Sequence, residues 1–220
     1  MRTRGLLIVG AAAIAASLLL GAAGMAAGWM GSPSLSLPGG MMGSVFRGGG
    51  RDIGMDRAVE IAQNVAASYP AGGLVADEVI EFSNNYYASI REDSTQIGAF
   101  EILIDRTNGS VVREPGPDMM WNTKYSVMGG GMMGGFGFSE SGPMTVTPQQ
   151  AQDIAQRWLE ANQSGTTARA ADRFYGYYTL DFQRAGTLVG MLSVNGHSGQ
   201  VWFHTWHGSF IQQRDLGAAG

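Results

Sequence analysis

The chain has 220 residues, a formal charge of −4 and no cysteine. Disulfides, thiolate catalysis, cysteine-ligated metals and a lipid-modified cysteine anchor are therefore excluded, and the lack of any basic run argues against nucleic acid as a partner. Glycine, at 34 residues, is about twice its usual share; it and the 13 methionines gather in stretches without a hydrophobic period.

Arg2 and Arg4 precede an apolar run over residues 5–30, broken only by Ser17. The run is long enough to span a bilayer, and the small residues Gly21 to Ala26 also suit a signal-peptidase cut. Residues 1–30 thus read as a transmembrane signal anchor or as a cleaved signal peptide. Either way the basic end stays in the cytoplasm and the remainder is exported. The protein is expected in the cell membrane, single-pass with its C-terminal part outside, or secreted if the leader is removed. Residues 31–53, rich in Gly, Ser and Met and carrying Pro33 and Pro38, read as a flexible tether.

A first module is expected over residues 54–113. Ala58, Ile61, Ala62 and Val65 share one helical face, Asp56 and Glu60 suit the early turns, and Pro70-Ala71-Gly72-Gly73 ends the helix. Strands are predicted over 79–82, 86–91 and 99–105. The last alternates, with Phe100, Ile102 and Ile104 on one face and Glu101, Leu103 and Asp105 on the other. Thr107-Asn108-Gly109-Ser110 reads as a turn before a short return strand at Val111 and Val112. Residues 114–146 read as a Gly/Met-rich linker.

A second module is expected over residues 147–212, with a flexible tail over 213–220. Thr147-Pro148-Gln149-Gln150 carries a Thr cap, a proline at the first helical position and a glutamine three residues after the cap. Ala151, Ile154, Ala155, Trp158 and Leu159 form one apolar face, and strands are predicted over 174–182, 188–195 and 201–203. The halves match in order. Residues 58–63 match 151–156, Tyr86-Tyr87 match Tyr177-Tyr178, and Ile102 to Val112 match Leu192 to Trp202, at an offset drifting from 93 to 90. The predicted class is α+β: two repeated modules, each a helix packed on a small antiparallel β-sheet, behind an N-terminal transmembrane or signal helix.

The helix opening Thr147-Pro148-x-Gln150-Ala151 with Ala155, and the segment Val194-Asn195-x-x-x-Gly199-x-Val201, resemble the PepSY domain family. So do Ala58, Ala62, Ile104, Asp105, Gly109 and Val111 in the first half. The resemblance implies a helix on an antiparallel sheet outside the cytoplasmic membrane. It also implies a role like that of family members found in propeptides of secreted peptidases and in envelope proteins, where protease inhibition has been proposed. The family has no catalytic residues to carry over, and no peptidase segment follows the modules in this sequence.

No nucleophile elbow, His-Glu-x-x-His helix or P-loop is present, so no enzyme is expected. The leading expectation is a binding module that takes an extracytoplasmic protein or peptide, for instance by strand addition to a sheet edge. The alternative is a Met-based Cu(I)-binding envelope protein using Met119, Met120, Met128, Met132 and Met133, because thioethers are soft ligands that favour Cu(I). Those methionines can equally be linker or gap filler. His204 and His207 are a further candidate metal pair. Three residues apart on a strand they would point to opposite faces, and they converge only if a turn intervenes. A purely structural envelope protein is the second alternative. The aromatic set including Tyr86, Tyr87, Phe174, Tyr177 and Tyr178 reads chiefly as core.

Overall fold

The computed structural model describes residues 50–126 and 142–217, all within one compact unit spanning residues 40–220. The apolar run over 5–30 and most of the expected tether lie outside the described residues. Among the described residues no helix is long and apolar enough to cross a membrane.

Helix α1 (Met55–Ala67) starts after Gly54, whose N–H donates to Asp52 Oδ1, and carries Asp56 in its first turn. It is followed by β1 (Leu74–Phe82), β2 (Tyr86–Glu92), β3 (Gly98–Ile104) and β4 (Val111–Arg113), then a short helix α2 (Pro117–Met120). Helix α3 (Pro148–Asn162) opens on the expected capping box: Thr147 Oγ1 accepts from the Gln150 N–H, and the Gln150 side chain accepts from the Thr147 N–H. After it come β5 (Thr167–Ala168), β6 (Asp172–Arg173), β7 (Tyr177–Arg184), β8 (Thr187–Asn195), β9 (Val201–Phe203) and β10 (Phe210–Asp215).

The strands form two antiparallel sheets, so the class is α+β. The first sheet has the order β10-β1-β2-β3-β4; the second runs β5-β7-β8-β9, with β6 also paired to β7. Helix α1 covers one face of the first sheet, placing Ala58 and Ala62 against Tyr86, Ile90, Phe100 and Ile102. Helix α3 covers one face of the second sheet, placing Ala151, Ala155 and Leu159 against Tyr178, Leu180, Leu192 and Val194. Alanines at the helix contacts let each helix lie close to its strands. The remaining faces meet each other: Ile80, Phe82, Tyr87 and Leu103 of the first sheet pack with Leu188 and Met191 of the second. The order of layers is helix, sheet, sheet, helix. Every residue of β3 is buried because its sheet is covered on both sides.

The same turn follows β3 and β8. Asp105 Oδ1 accepts from the N–H groups of Thr107 and Asn108, and Asn195 Oδ1 accepts from those of His197 and Ser198. Gly109 and Gly199 then sit at φ 70° and 72°, a region that disfavours any side chain. A Cβ at Gly109 would meet Ile61, and one at Gly199 would meet Ile154. The Asp/Asn-x-x-x-Gly spacing is thus a backbone requirement coupled to helix packing.

Four sequence expectations are corrected. Tyr86 pairs with Ile104, whereas the residue paired with the matching Val194 is Tyr178, not Tyr177. The tyrosine pairs are therefore one residue out of register, and with a period of two that reverses the faces. Tyr86 and Tyr178 face the helices, while Tyr87 and Tyr177 face the inter-sheet layer. Residues 114–126, expected as linker, are folded in, with Glu114, Asp118, Trp121 and Asn122 buried. Residues 213–215, expected as tail, belong to β10. That strand crosses from the second half to pair with β1, so the segment assigned to the second module completes the first sheet.

The two halves come into close contact at Gly98, which bridges to Phe174; a Cβ there would lie 2.4 Å from two atoms of the Phe174 ring. Gly98→Ala is expected to destabilise the fold by about 1–3 kcal/mol through overpacking, measured by urea unfolding. A Phe174→Leu background should reduce that cost; an undiminished cost would show that the ring is not the obstacle.

Candidate functional site

Three buried groups converge where the two halves meet. Strand β9 ends at Phe203, and the chain turns over residues 204–208. That turn brings His204 and His207 to the same side, which a continuous strand would forbid. Glu114 is the residue just after β4 and holds its strand-end position through a backbone bond from its N–H to the Glu101 carbonyl. His204 does the same after β9, donating to the Met191 carbonyl. Glu114 Oε1 lies 3.3 Å from His204 Nδ1 and 3.1 Å from His207 Nε2, and the two ring nitrogens are 3.4 Å apart.

Outer contacts fix these side chains. His207 Nδ1 is 3.1 Å from Asn85 Oδ1, and the Asn85 amide donates to the Trp206 carbonyl. His204 Nε2 is 3.0 Å from Ser193 Oγ, itself 3.0 Å from Thr179 Oγ1. Trp206 Nε1 donates to Glu114 Oε1 at 3.0 Å. Phe82 stacks on the His207 ring, and Trp206 on that of His204. Glu114 Oε2 is buried with no hydrogen-bond partner among the described residues. Burial alone would raise the Glu114 carboxyl, but His204 and His207 outweigh it and hold the group well below the usual carboxylate range. Burial also lowers the His207 imidazole, against the pull of Glu114.

Sequence reasoning singled out both histidines but placed Glu114 in a linker. A signal was present: Glu114 follows Val111-Val112-Arg113 as His204 follows Val201-Trp202-Phe203, at the 90-residue offset that aligns the preceding turns. Of the methionines, Met119 and Met120 lie in α2, the first half-buried and the second exposed. Met128, Met132 and Met133 lie outside the described residues.

Beside this cluster the inter-sheet layer holds a second polar network. Tyr87 and Tyr177 donate to the two oxygens of buried Glu101 at 2.7 and 2.8 Å. Asp118 is gripped by the Arg113 guanidinium through two bonds, of 2.6 and 2.9 Å. Burial, then the nearby Glu114 and Asp118 charges, push the Glu101 carboxyl well up.

A cleft of about 370 Å³ opens between β1 and β10 on one side and β6, β7 and the segment just after β5 on the other. Its lining carries Asp77, Glu78, Asp172, Asp181 and Asp215, with Arg169 as the cation among them. Arg169 pairs with Asp181 at 3.1 Å, and Gln213 donates to Glu78 at 2.9 Å. Burial, and then the neighbouring carboxylates Asp181 and Asp172, raise the Glu78 carboxyl. Burial pushes Asp181 up to about 7, with Arg169 pulling against it.

No family model matches the chain, and no curated protein does. Among solved structures it is similar to the Bacillus megaterium YpeB C-terminal domain, at 12% identity and a TM-score of 0.25; the match covers 69% of this chain, which spans 62% of the length of that one.

Proposed function

We propose that this chain is an exported, non-enzymatic PepSY-like module that captures an extended, cationic peptide segment of an extracytoplasmic partner. The observation that carries this reading is a strand edge running into an acidic cleft. Among the described residues, strand β10 ends the first sheet with a neighbour on one side only. Its Gln213 and Asp215 line the cleft beside Asp77, Glu78 and Asp172. Ile211, at the register shift of the β10–β1 pair, is the most exposed large apolar residue described, at 48%. An incoming strand would gain backbone hydrogen bonds from β10, bury Ile211, and bring a Lys or Arg to carboxylates that outnumber the two arginines, Arg91 and Arg169, paired with them. The apolar run over 5–30 supports a location at the outer side of a membrane. The Asp105 and Asn195 turns, on which the PepSY resemblance rests, support the family-level reading.

Binding of labelled synthetic peptides to the full-length protein, followed by fluorescence anisotropy, tests this reading. Extended peptides with Lys or Arg at alternate positions are expected to bind about 10-fold more tightly than Glu-substituted ones, as a few exposed charge pairs would give. The difference should shrink in Asp215→Asn and at high salt. N-methylation of alternate peptide nitrogens should abolish binding, because it removes the donors needed for strand pairing. Equal binding of cationic and acidic peptides would overturn the proposal.

The cleft also sets a pH dependence. Asp181 has an ordinary value of 3.8 and a folded one of about 7. A raised carboxyl contributes stability that is fully present below the unfolded value and lost as pH rises through the folded one. Asp181→Asn is therefore expected to stabilise the protein at pH 8 by on the order of 4 kcal/mol and to leave it nearly unchanged near pH 4. Denaturation curves across that range check the sign; a uniform offset at all pH values would rule out titration as the cause.

A further inference from the structure

We propose that Glu114, His204 and His207 form a buried three-residue binding site for a divalent transition-metal ion, with Zn²⁺ the best geometric fit. The site is separate from the acidic cleft and stands whether or not a peptide binds there.

Geometry makes the first argument. The donor atoms of the three residues are separated by 3.1, 3.3 and 3.4 Å. Four bonds of roughly 2.0–2.1 Å in a tetrahedron set neighbouring donors about 3.3 Å apart. The three atoms thus already stand at the corners of one face of a zinc coordination shell.

Hydrogen accounting makes the second. The Asn85 amide nitrogen donates to the Trp206 carbonyl, so Asn85 Oδ1 is an acceptor and His207 Nδ1 carries the hydrogen facing it. His207 Nε2 then turns a lone pair inward, toward the Glu114 oxygen. His204 Nε2 can give its hydrogen to Ser193 Oγ, which leaves Nδ1 as the inward lone pair. Glu114 Oε1 accepts the Trp206 Nε1–H; with both rings neutral, its remaining lone pair and those of the two nitrogens face one another, a repulsion relieved either by a proton on one ring or by a metal cation among the three. Metal-bound histidines commonly give their outer N–H to a protein acceptor, and that is the arrangement here.

Among the described residues Glu114 Oε2 is buried without a hydrogen-bond partner, an expensive arrangement for a carboxylate. With Oε1 bound to an ion, Oε2 would face the same positive charge as a longer, secondary contact, while the fourth tetrahedral corner is left to a water or another donor. Such an ion would tie the end of β4 to the turn after β9, joining the first and second halves of the chain.

The test uses the full-length protein stripped by a chelator and titrated with Zn²⁺, and with Co²⁺ as a visible probe. One ion per chain is expected, with a rise in Tm and the intense ligand-field absorption of four-coordinate Co²⁺. Glu114→Gln and His207→Gln should each weaken binding by at least about 100-fold, since loss of an outer-shell partner alone costs 10–100-fold. Ser193→Ala should show that smaller loss at unchanged stoichiometry. Met119→Leu with Met120→Leu should change nothing. Absence of saturable binding by the wild-type protein would overturn the proposal, as would undiminished binding in folded Glu114→Gln and His207→Gln. If those variants lose their near-ultraviolet circular dichroism, the wild-type Co²⁺ spectrum decides, and weak octahedral bands count against the site.

Discussion

Each sheet has two faces and one helix, so the face turned away from the helix must find other cover. In this chain the two sheets cover each other. One close contact between them depends on Gly98, which leaves room for the Phe174 ring, and on Phe174 stacking on Tyr177. Tyr177 in turn reaches across to Glu101 of the first sheet. The exchange of β10 adds a backbone link, since a strand from the second half completes the sheet of the first. Neither half buries its apolar surface alone, so cooperative folding follows from the arrangement.

That inter-sheet layer differs from the two helix–sheet cores in polarity. The helix-covered faces hold mainly alanine, aliphatic and aromatic side chains. The layer between the sheets holds Glu101, Glu114, Asp118, His204 and His207, all buried. A buried polar group is costly unless bonded, and most of these are bonded: Glu101 by two tyrosines, Asp118 by Arg113, and the histidines by Asn85 and Ser193. The exceptions mark the candidate sites. Among the described residues Glu114 retains an unpartnered oxygen inside, and the carboxylates of the cleft exceed the two cations paired with them, Arg169 on Asp181 and Arg91 on Asp77.

Helices α1 and α3, most of the longer strands and both turns were legible because they depend on local signals. Periodicity gave the helix faces, Thr147 with Gln150 gave the cap, and Asp105 with Gly109 and Asn195 with Gly199 gave the turns. The alternation of Phe100, Ile102 and Ile104 against Glu101 and Leu103 placed the correct residues on opposite faces. It could not show that both faces are buried, because that depends on a second sheet remote in sequence. Strand β10 was missed for a similar reason: Gln212, Gln213 and Arg214 are polar, and their place is set by pairing with β1 rather than by burial. The folded stretch 114–126 was concealed by the glycine and methionine residues around it.

The candidate metal centre was half legible for a reason connected with the internal match. Glu114 and His204 stand at corresponding positions, each one residue beyond a three-residue strand that pairs with the strand carrying the Asp or Asn turn. Their main-chain bonds, to Glu101 and Met191, also correspond. Corresponding backbone positions carry different side chains, an acid in one half and an imidazole in the other, and both point into the layer that the halves share. A site built from equivalent residues would place like with like, two carboxylates or two imidazoles. The difference between the halves is what brings a carboxylate and imidazoles together, and His207 joins because the chain leaves its strand at Phe203. Comparing the halves for likeness identifies the fold, whereas the candidate chemistry lies at a position where they differ.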